Sequence, residues 1–243
     1  MSETKRREPR RRDPLKEVVA YYRDLGVAEL YLREPEAPAA TEAPAEDREA
    51  RLAPVAEAVA VCRRCRLCET RTRTVFSDGR ADARLMFVGE APGADEDAQG
   101  VPFVGRAGQL LTRMIEDGMG LQRTSVYICN VLKCRPPENR NPEPDEIAHC
   151  REYLETQVEI VRPEAIVSLG KFAGQFLLGV DEGMMRMRGR WGSYRGIPVM
   201  PTYHPSFLLR QPERKKEAWE DLLKVLTRLG LPHPAAKKGA ARP

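Results

Sequence analysis

The chain has 243 residues, of which 42% are hydrophobic and 31% charged, with a formal net charge of +4. It holds enough apolar material for one sizeable core with a small appendage, and no stretch approaches the roughly 18 uninterrupted apolar residues that cross a membrane. Residues 1–12 alone account for the positive excess, so the body is near neutral, and a solvated basic tail is the commoner meaning of such a stretch.

The N-terminal MSETKRREPRRRD has no apolar segment of the kind that directs secretion, so the expectation is a soluble, cytoplasmic protein that does not engage a membrane. Residues 14–31 place Val18, Val19, Tyr22, Leu25 and Val27 near helical spacing, which predicts a short amphipathic helix. Residues 33–48 are rich in Ala, Pro and Glu and read as a linker, and the segment from Pro232 to the end has the same character. The expected division is therefore 1–50 as tail, helix and linker, 51–231 as the working domain, and 232–243 as a disordered tail.

Within 51–231 four apolar runs predict buried parallel strands: RLMFVG from Arg84, SVYICNVL from Ser125, AIVSLG from Ala165 and PVMPTY from Pro198. Helical patterns follow each of them, over residues 105–120, 144–163, 171–179 and 214–229. This alternation predicts an α/β fold of three layers, αβα, around a central four-stranded parallel sheet. In such sheets ligands bind beyond the carboxyl ends of the strands. The four ends carry Gly89-Glu90-Ala91-Pro92-Gly93, Asn130, Leu169-Gly170 and Tyr203-His204-Pro205-Ser206. A carboxylate, an amide, an imidazole and small residues on one rim suit a pocket for a small, polar, planar ligand.

Six cysteines in a reducing compartment speak for metal binding rather than a disulfide framework. Cys62, Cys65 and Cys68 form two overlapping C-x₂-C pairs, while Cys134 and Cys150 flank a proline-rich loop after the second strand and could close on them. Cys129 lies inside that strand, where a free thiol acts as a small hydrophobe. Spacing alone leaves both zinc and iron-sulfur open.

Two segments are specific enough to carry a resemblance: GEAPGADEDAQGVPFVGRAGQLL over 89–111, and His204-Pro205-Ser206-Phe207-Leu208-Leu209-Arg210. With them the chain closely resembles the family 4 uracil-DNA glycosylases, the iron-sulfur branch of that superfamily, across about Ala56 to Leu229. The resemblance implies hydrolysis of the N-glycosidic bond of deoxyuridine in DNA, with free uracil and an abasic site as products. It implies one 4Fe-4S cluster on Cys62, Cys65, Cys134 and Cys150, and leaves Cys68 and Cys129 outside the ligand set. It also assigns roles to the rim. Glu90 and Ala91 to Gly93 would lie against the flipped base and sugar, Phe103 would stack on uracil, and Asn130 would pair with its O4 and N3–H edge. His204 would donate to O2 as charge develops on the leaving base. Pro205, Ser206, Phe207, Leu208, Leu209 and Arg210 would enter the minor groove, with Phe207, Leu208 or Leu209 as the apolar wedge and Arg210 near phosphate. Glu90, Glu96 and Asp97 all compete for the water-orienting role, and Glu96 is the candidate for excluding thymine.

Uracil-containing DNA is the expected partner and a monomer the expected state. A covalently trapping relative would carry a histidine in the loop after the second strand; here that loop reads CRPPENRNPEPDE, and the nearest histidine is His149. A non-catalytic uracil-DNA-binding module is the other alternative, against which stand Glu90, Asn130 and His204. The stretch from Met184 to Arg195, with Arg186, Arg188, Arg190, Arg195, Trp191 and Tyr194, fits a DNA-facing hairpin and equally a solvated one.

Overall fold

The computed structural model describes residues 45–233. The helix expected over 14–31 and the residues beyond 233 lie outside that range. The first element, α1 (Ala45–Ala60), crosses the boundary expected at residue 50. Leu52 and Val55 of α1 join the core, and the buried Arg48 donates to the Val161 carbonyl oxygen at 2.8 Å.

The sheet contains β1 (Asp78–Gly79), β2 (Leu85–Gly89), β3 (Tyr127–Asn130), β4 (Ala165–Leu169), β5 (Gly192–Tyr194) and β6 (Ile197–Thr202), in the order β1-β3-β2-β4-β6-β5. It is a mixed six-stranded sheet, not the four-stranded parallel one expected. The strands β3, β2, β4 and β6 pair in parallel, and β1 and β5 add antiparallel edges. The edges escape sequence reading because they are short and half-exposed, with no apolar run.

The inner strands are apolar throughout because each buries side chains on both faces. Met86, Val88, Tyr127, Cys129, Ile166 and Val199 point into one core, shared with α1 and with α4 (Pro144–Val161) and α5 (Lys171–Leu178). Leu85, Phe87, Ile128, Val167 and Met200 point into the other, shared with α3 (Arg106–Arg113) and α8 (Lys215–Arg228). The pattern over 105–120 does not form one helix: α3 gives way to a π-helical turn over Met114–Gly118, where Met119 N–H reaches back to Met114 O at 3.0 Å. Two short helices complete the set between strands, α2 (Ala94–Gln99) and α6 (Met184–Met187), and a third, α7 (Pro205–Arg210), follows β6.

Register brings the strand ends together. Gly89 pairs with Asn130 across β2 and β3, and Leu169 pairs with Thr202 across β4 and β6. Glu90, Gly170 and His204 therefore leave the sheet from one rim. The tip of the β5–β6 hairpin, at Arg195, lies at the opposite end of β6. There Arg195 pairs with Glu155 at 3.2 Å and with Glu159, while at the carboxyl end of β6 Arg188 bonds, at 2.7 Å, Asp221, which accepts from Thr202 Oγ1. Two of the four arginines in that stretch are thus neutralised within the protein.

Candidate active site

Beyond the strand ends lies a cavity of about 370 Å³. Its walls include Glu90, Ala91, Pro92, Gly93, Glu96, Phe103, Asn130 and His204, so the structure brings the whole expected base-binding set together. Ser206, Phe207 and Arg210 of α7 reach the same walls.

Asn130 is 2% exposed, and its Oδ1 is one of two buried side-chain polar atoms without a hydrogen-bond partner among the described residues. An acceptor left bare in this way costs about 1–3 kcal/mol until a ligand donor reaches it. Two glycines make the arrangement possible. A Cβ at residue 89 would collide with Asn130 Oδ1 and the Phe103 ring, and one at residue 108 would collide with the Phe103 backbone. Phe103 itself is held at φ 55, an uncommon conformation for a bulky residue.

The strain at Phe103 is held by Glu96. Its Oε1 accepts from Val104 N–H at 2.9 Å and Gly105 N–H at 3.0 Å, and its Oε2 accepts from Gly93 N–H at 3.1 Å. Both oxygens are committed to backbone, so Glu96 lines the cavity as a strut between the 89–93 turn and the Phe103 loop. Asp97 is committed in the same manner, accepting from Thr72 N–H at 3.0 Å and Arg73 N–H at 3.3 Å. Of the three carboxylates competing for the water-orienting role, Glu90 alone has no hydrogen bond or ion pair among the described residues. Burial pushes its carboxyl up to about 7.

His204 accepts from Ser206 N–H at 3.1 Å through Nδ1. A backbone N–H only donates, so the neutral ring carries its proton on Nε2. Burial, with a smaller push from the Arg210 guanidinium, lowers the imidazole to about 4. The ring is therefore neutral at physiological pH, with one N–H to give. It lies 5.7 Å from the Phe103 ring, centroid to centroid.

The segment expected to meet the minor groove is not uniform. Leu208 is 1% exposed and packs with Leu110, Tyr203 and Ala218, and Pro205 is buried. Leu208 is part of the core and is not available as a wedge. Phe207, stacked on Tyr203 at 4.9 Å, and Leu209 keep partial exposure. Sequence reasoning missed Lys171, Phe172, Pro136, Asn139 and Arg140, which also line the cavity. The first two follow Gly170, so the strand-end rule that found Asn130 also points to them.

A second, much smaller cavity lies on the far side of the 130–134 segment. Cys62, Cys65, Cys134 and Cys150 all line it, together with Arg64, Arg71, Lys133, His149 and Tyr153, whereas Cys68 and Cys129 do not. Among the described residues no three such side chains stand close enough to share a single metal ion. Burial pushes the Cys134 thiol up to about 11 against a hydrogen bond from Arg71 at 3.2 Å, and burial likewise raises Cys150 and Cys65. Burial also works on Cys62, but hydrogen bonds from Tyr153 and Arg64 outweigh it and hold that thiol below its usual value. Burial lowers the Lys133 ammonium below its usual value, and the neighbouring Cys129, Cys150 and Cys134 offset that only in part. His149 faces this cavity and not the larger one, so it cannot serve as a trapping nucleophile there.

The fully buried Glu146 carboxylate ties the two cysteine segments. It accepts from Arg140 at 2.5 Å and from Arg66 at 3.3 Å, and caps α4 by accepting from Glu143 N–H at 2.9 Å.

The chain is similar in sequence to known proteins of one superfamily. The profile described as "Uracil DNA glycosylase superfamily" matches residues 76–223. The type-4 uracil-DNA glycosylase of Archaeoglobus fulgidus is 45% identical over 174 residues, which cover 68% of this chain and 86% of that protein. The type-4 enzyme of Thermotoga maritima is 45% identical over 177 residues, covering 70% and 91% respectively. A type-5 uracil-DNA glycosylase of Pyrobaculum aerophilum is more distant, at 32% identity over 145 residues.

Proposed function

This chain belongs to the uracil DNA glycosylase superfamily, in its type-4 branch, and on that footing we propose that it hydrolyses the N-glycosidic bond of deoxyuridine in DNA. The products are free uracil and an abasic site, the first step of base excision repair. The observation that carries the reading is the convergence of Glu90, Phe103, Asn130 and His204 on the strand-end cavity, with the buried Asn130 Oδ1 lacking a hydrogen-bond partner among the described residues.

In the proposed mechanism uracil leaves the stack and enters the cavity against Phe103. Asn130 Oδ1 accepts from uracil N3–H while its amide nitrogen donates to O4. Cytosine presents the opposite pattern at those atoms and leaves two like groups facing each other, at a cost of several kcal/mol. As the glycosidic bond lengthens, negative charge collects on the base and His204 Nε2–H donates to O2. The sugar develops positive charge, and the partnerless Glu90 carboxylate both steadies it and orients the attacking water. Glu96 holds the platform in place. Phe207 or Leu209 fills the space the base vacates, and Arg210 meets phosphate.

Cys62, Cys65, Cys134 and Cys150 are proposed to hold one 4Fe-4S cluster. The four thiols that line one small cavity, with Arg64, Arg71 and Lys133 around them, support it. Bound by these cysteines, such a group would tie the segment before β1 to the segment after β3. The enzyme is proposed to act as a monomer in the cytoplasm; no helix among the described residues is long and apolar enough to cross a membrane.

The test is chromatography of free base released from oligonucleotides containing one uracil, with thymine and cytosine controls. Release of uracil alone is expected. An intact uracil oligonucleotide after prolonged incubation contradicts the proposal.

A further inference from the structure

Lys133 is the last of the three residues between the base-reading Asn130 and Cys134, and it is 1% exposed. Its Nζ donates to the Asn130 carbonyl oxygen at 2.6 Å and to Gln157 Oε1 at 2.5 Å. Gln157 is fixed in turn, donating to Tyr127 Oη at 3.0 Å and to Phe76 O at 3.1 Å. Both acceptors of Lys133 are neutral, and no carboxylate pairs with it among the described residues. A buried ammonium with no countercharge is several kcal/mol unfavourable.

The four cysteine thiols lie close to the same residue. Lys133 lines the four-cysteine cavity, and its backbone N–H donates to the Cys150 sulfur. Its carbonyl accepts from Val75 N–H at 2.8 Å, which ties the segment following the first cysteines into the same knot. One residue therefore bonds the carbonyl of Asn130 through its side chain and the Cys150 sulfur through its backbone.

We infer that Lys133 is a positioning residue for both cavities: its charge balances the thiolate-held group, and its hydrogen bond to the Asn130 carbonyl fixes the amide that reads uracil. The inference rests on the cluster and substrate assigned under the proposed function. The two roles come apart by substitution. Lys133→Gln keeps an N–H donor for the Asn130 carbonyl and loses the charge. Lys133→Met loses both at similar volume.

The experiment uses full-length protein loaded with iron and sulfide anaerobically, and compares both variants with the unaltered protein. Three quantities are measured: the half-time of iron loss to a chelator, the cluster midpoint potential, and KM and kcat on a uracil oligonucleotide. Both variants are expected to lose iron about tenfold faster or more and to show a more negative potential, since removing a nearby cation disfavours the added electron. The KM is expected to rise about tenfold in Lys133→Met, the equivalent of one charged hydrogen bond, and by no more than about threefold in Lys133→Gln.

Unchanged iron loss and potential in both variants overturn the charge role, and equal KM values in both overturn the positioning role. Should Lys133→Met not fold, Lys133→Gln decides alone: an unchanged chelator half-time overturns the inference. If the unaltered protein binds no iron or releases no uracil, the proposed function fails first, and the inference fails with it.

Discussion

Two cavities lie on either side of the Asn130 to Cys134 segment, and they treat polar groups in opposite ways. The strand-end cavity leaves Asn130 Oδ1 and the Glu90 carboxyl without partners among the described residues and keeps His204 neutral with a single N–H to give. The cysteine cavity surrounds its thiols with Arg64, Arg71 and Lys133, and Glu146 knots the two cysteine segments through Arg66 and Arg140. The first is an unfinished hydrogen-bond pattern that, on the proposed function, a base completes. The second is a clamp whose groups face one another. The contrast teaches that, on the proposed reading, recognition of a base draws on unsatisfied groups at strand ends, with the inferred rigidity supplied through Lys133.

The comparison breaks most sharply at the groups that face the base. His204→Ala is expected to lower kcat by about 10²–10³-fold, the usual loss of one donor to a developing anion, measured in single turnover on a uracil oligonucleotide. Asn130→Ala is expected to approach the same loss in kcat/KM, because it removes both halves of the base-reading pair. Effects below threefold at both positions would mean that the chemistry lies elsewhere.

Glu96→Gln sharpens the difference between touching and positioning. The amide cannot accept at both ends, so the Gly93 N–H or the Val104 and Gly105 N–H pair loses its acceptor. A rise in KM of about tenfold is expected from one broken charged hydrogen bond, with kcat much less affected. A loss confined to kcat would return Glu96 to the chemistry.

The pH dependence separates Glu90 from His204. The Glu90 carboxyl is raised to about 7 by burial, so the ionised form gains through that pH, and log kcat/KM should rise with a limb near 7. Glu90→Gln should abolish the limb. His204, lowered to about 4, contributes no second limb in the same range. The same shift has a stability consequence. A carboxyl whose folded value lies above its unfolded value favours the folded state at low pH, and that contribution is lost as pH rises towards about 7. Glu90→Gln should therefore melt higher than the unaltered protein at pH 8 and converge with it at pH 4. The smallest effect is expected from Cys68→Ala, which lies off the cysteine cavity and should leave iron content and excision unchanged.

These expectations also mark what the sequence discloses. The inner strands are legible because each buries both faces, and the rim residues are legible because they stand at strand ends. The edges β1 and β5 are not, since Asp78-Gly79 and Gly192-Ser193-Tyr194 carry no periodicity. Helix α2, ADEDAQ, is equally silent, because side-chain to backbone bonds from Glu96 and Asp97 secure it and apolar packing does not. The wedge is misread at Leu208 because an apolar residue next to a motif looks the same whether it faces DNA or the core. Lys133 is hidden by its type, as lysine is ordinarily a surface residue.

The most direct test of the account is calorimetric titration of the protein with free uracil and with 3-methyluracil. The bare Asn130 Oδ1 is assigned to uracil N3–H, so uracil should bind and the N3-methylated base, which has no proton to give and carries a methyl group in its place, should not. Equal affinity for the two would contradict the assignment, and with it the claim that this cavity reads the base through Asn130.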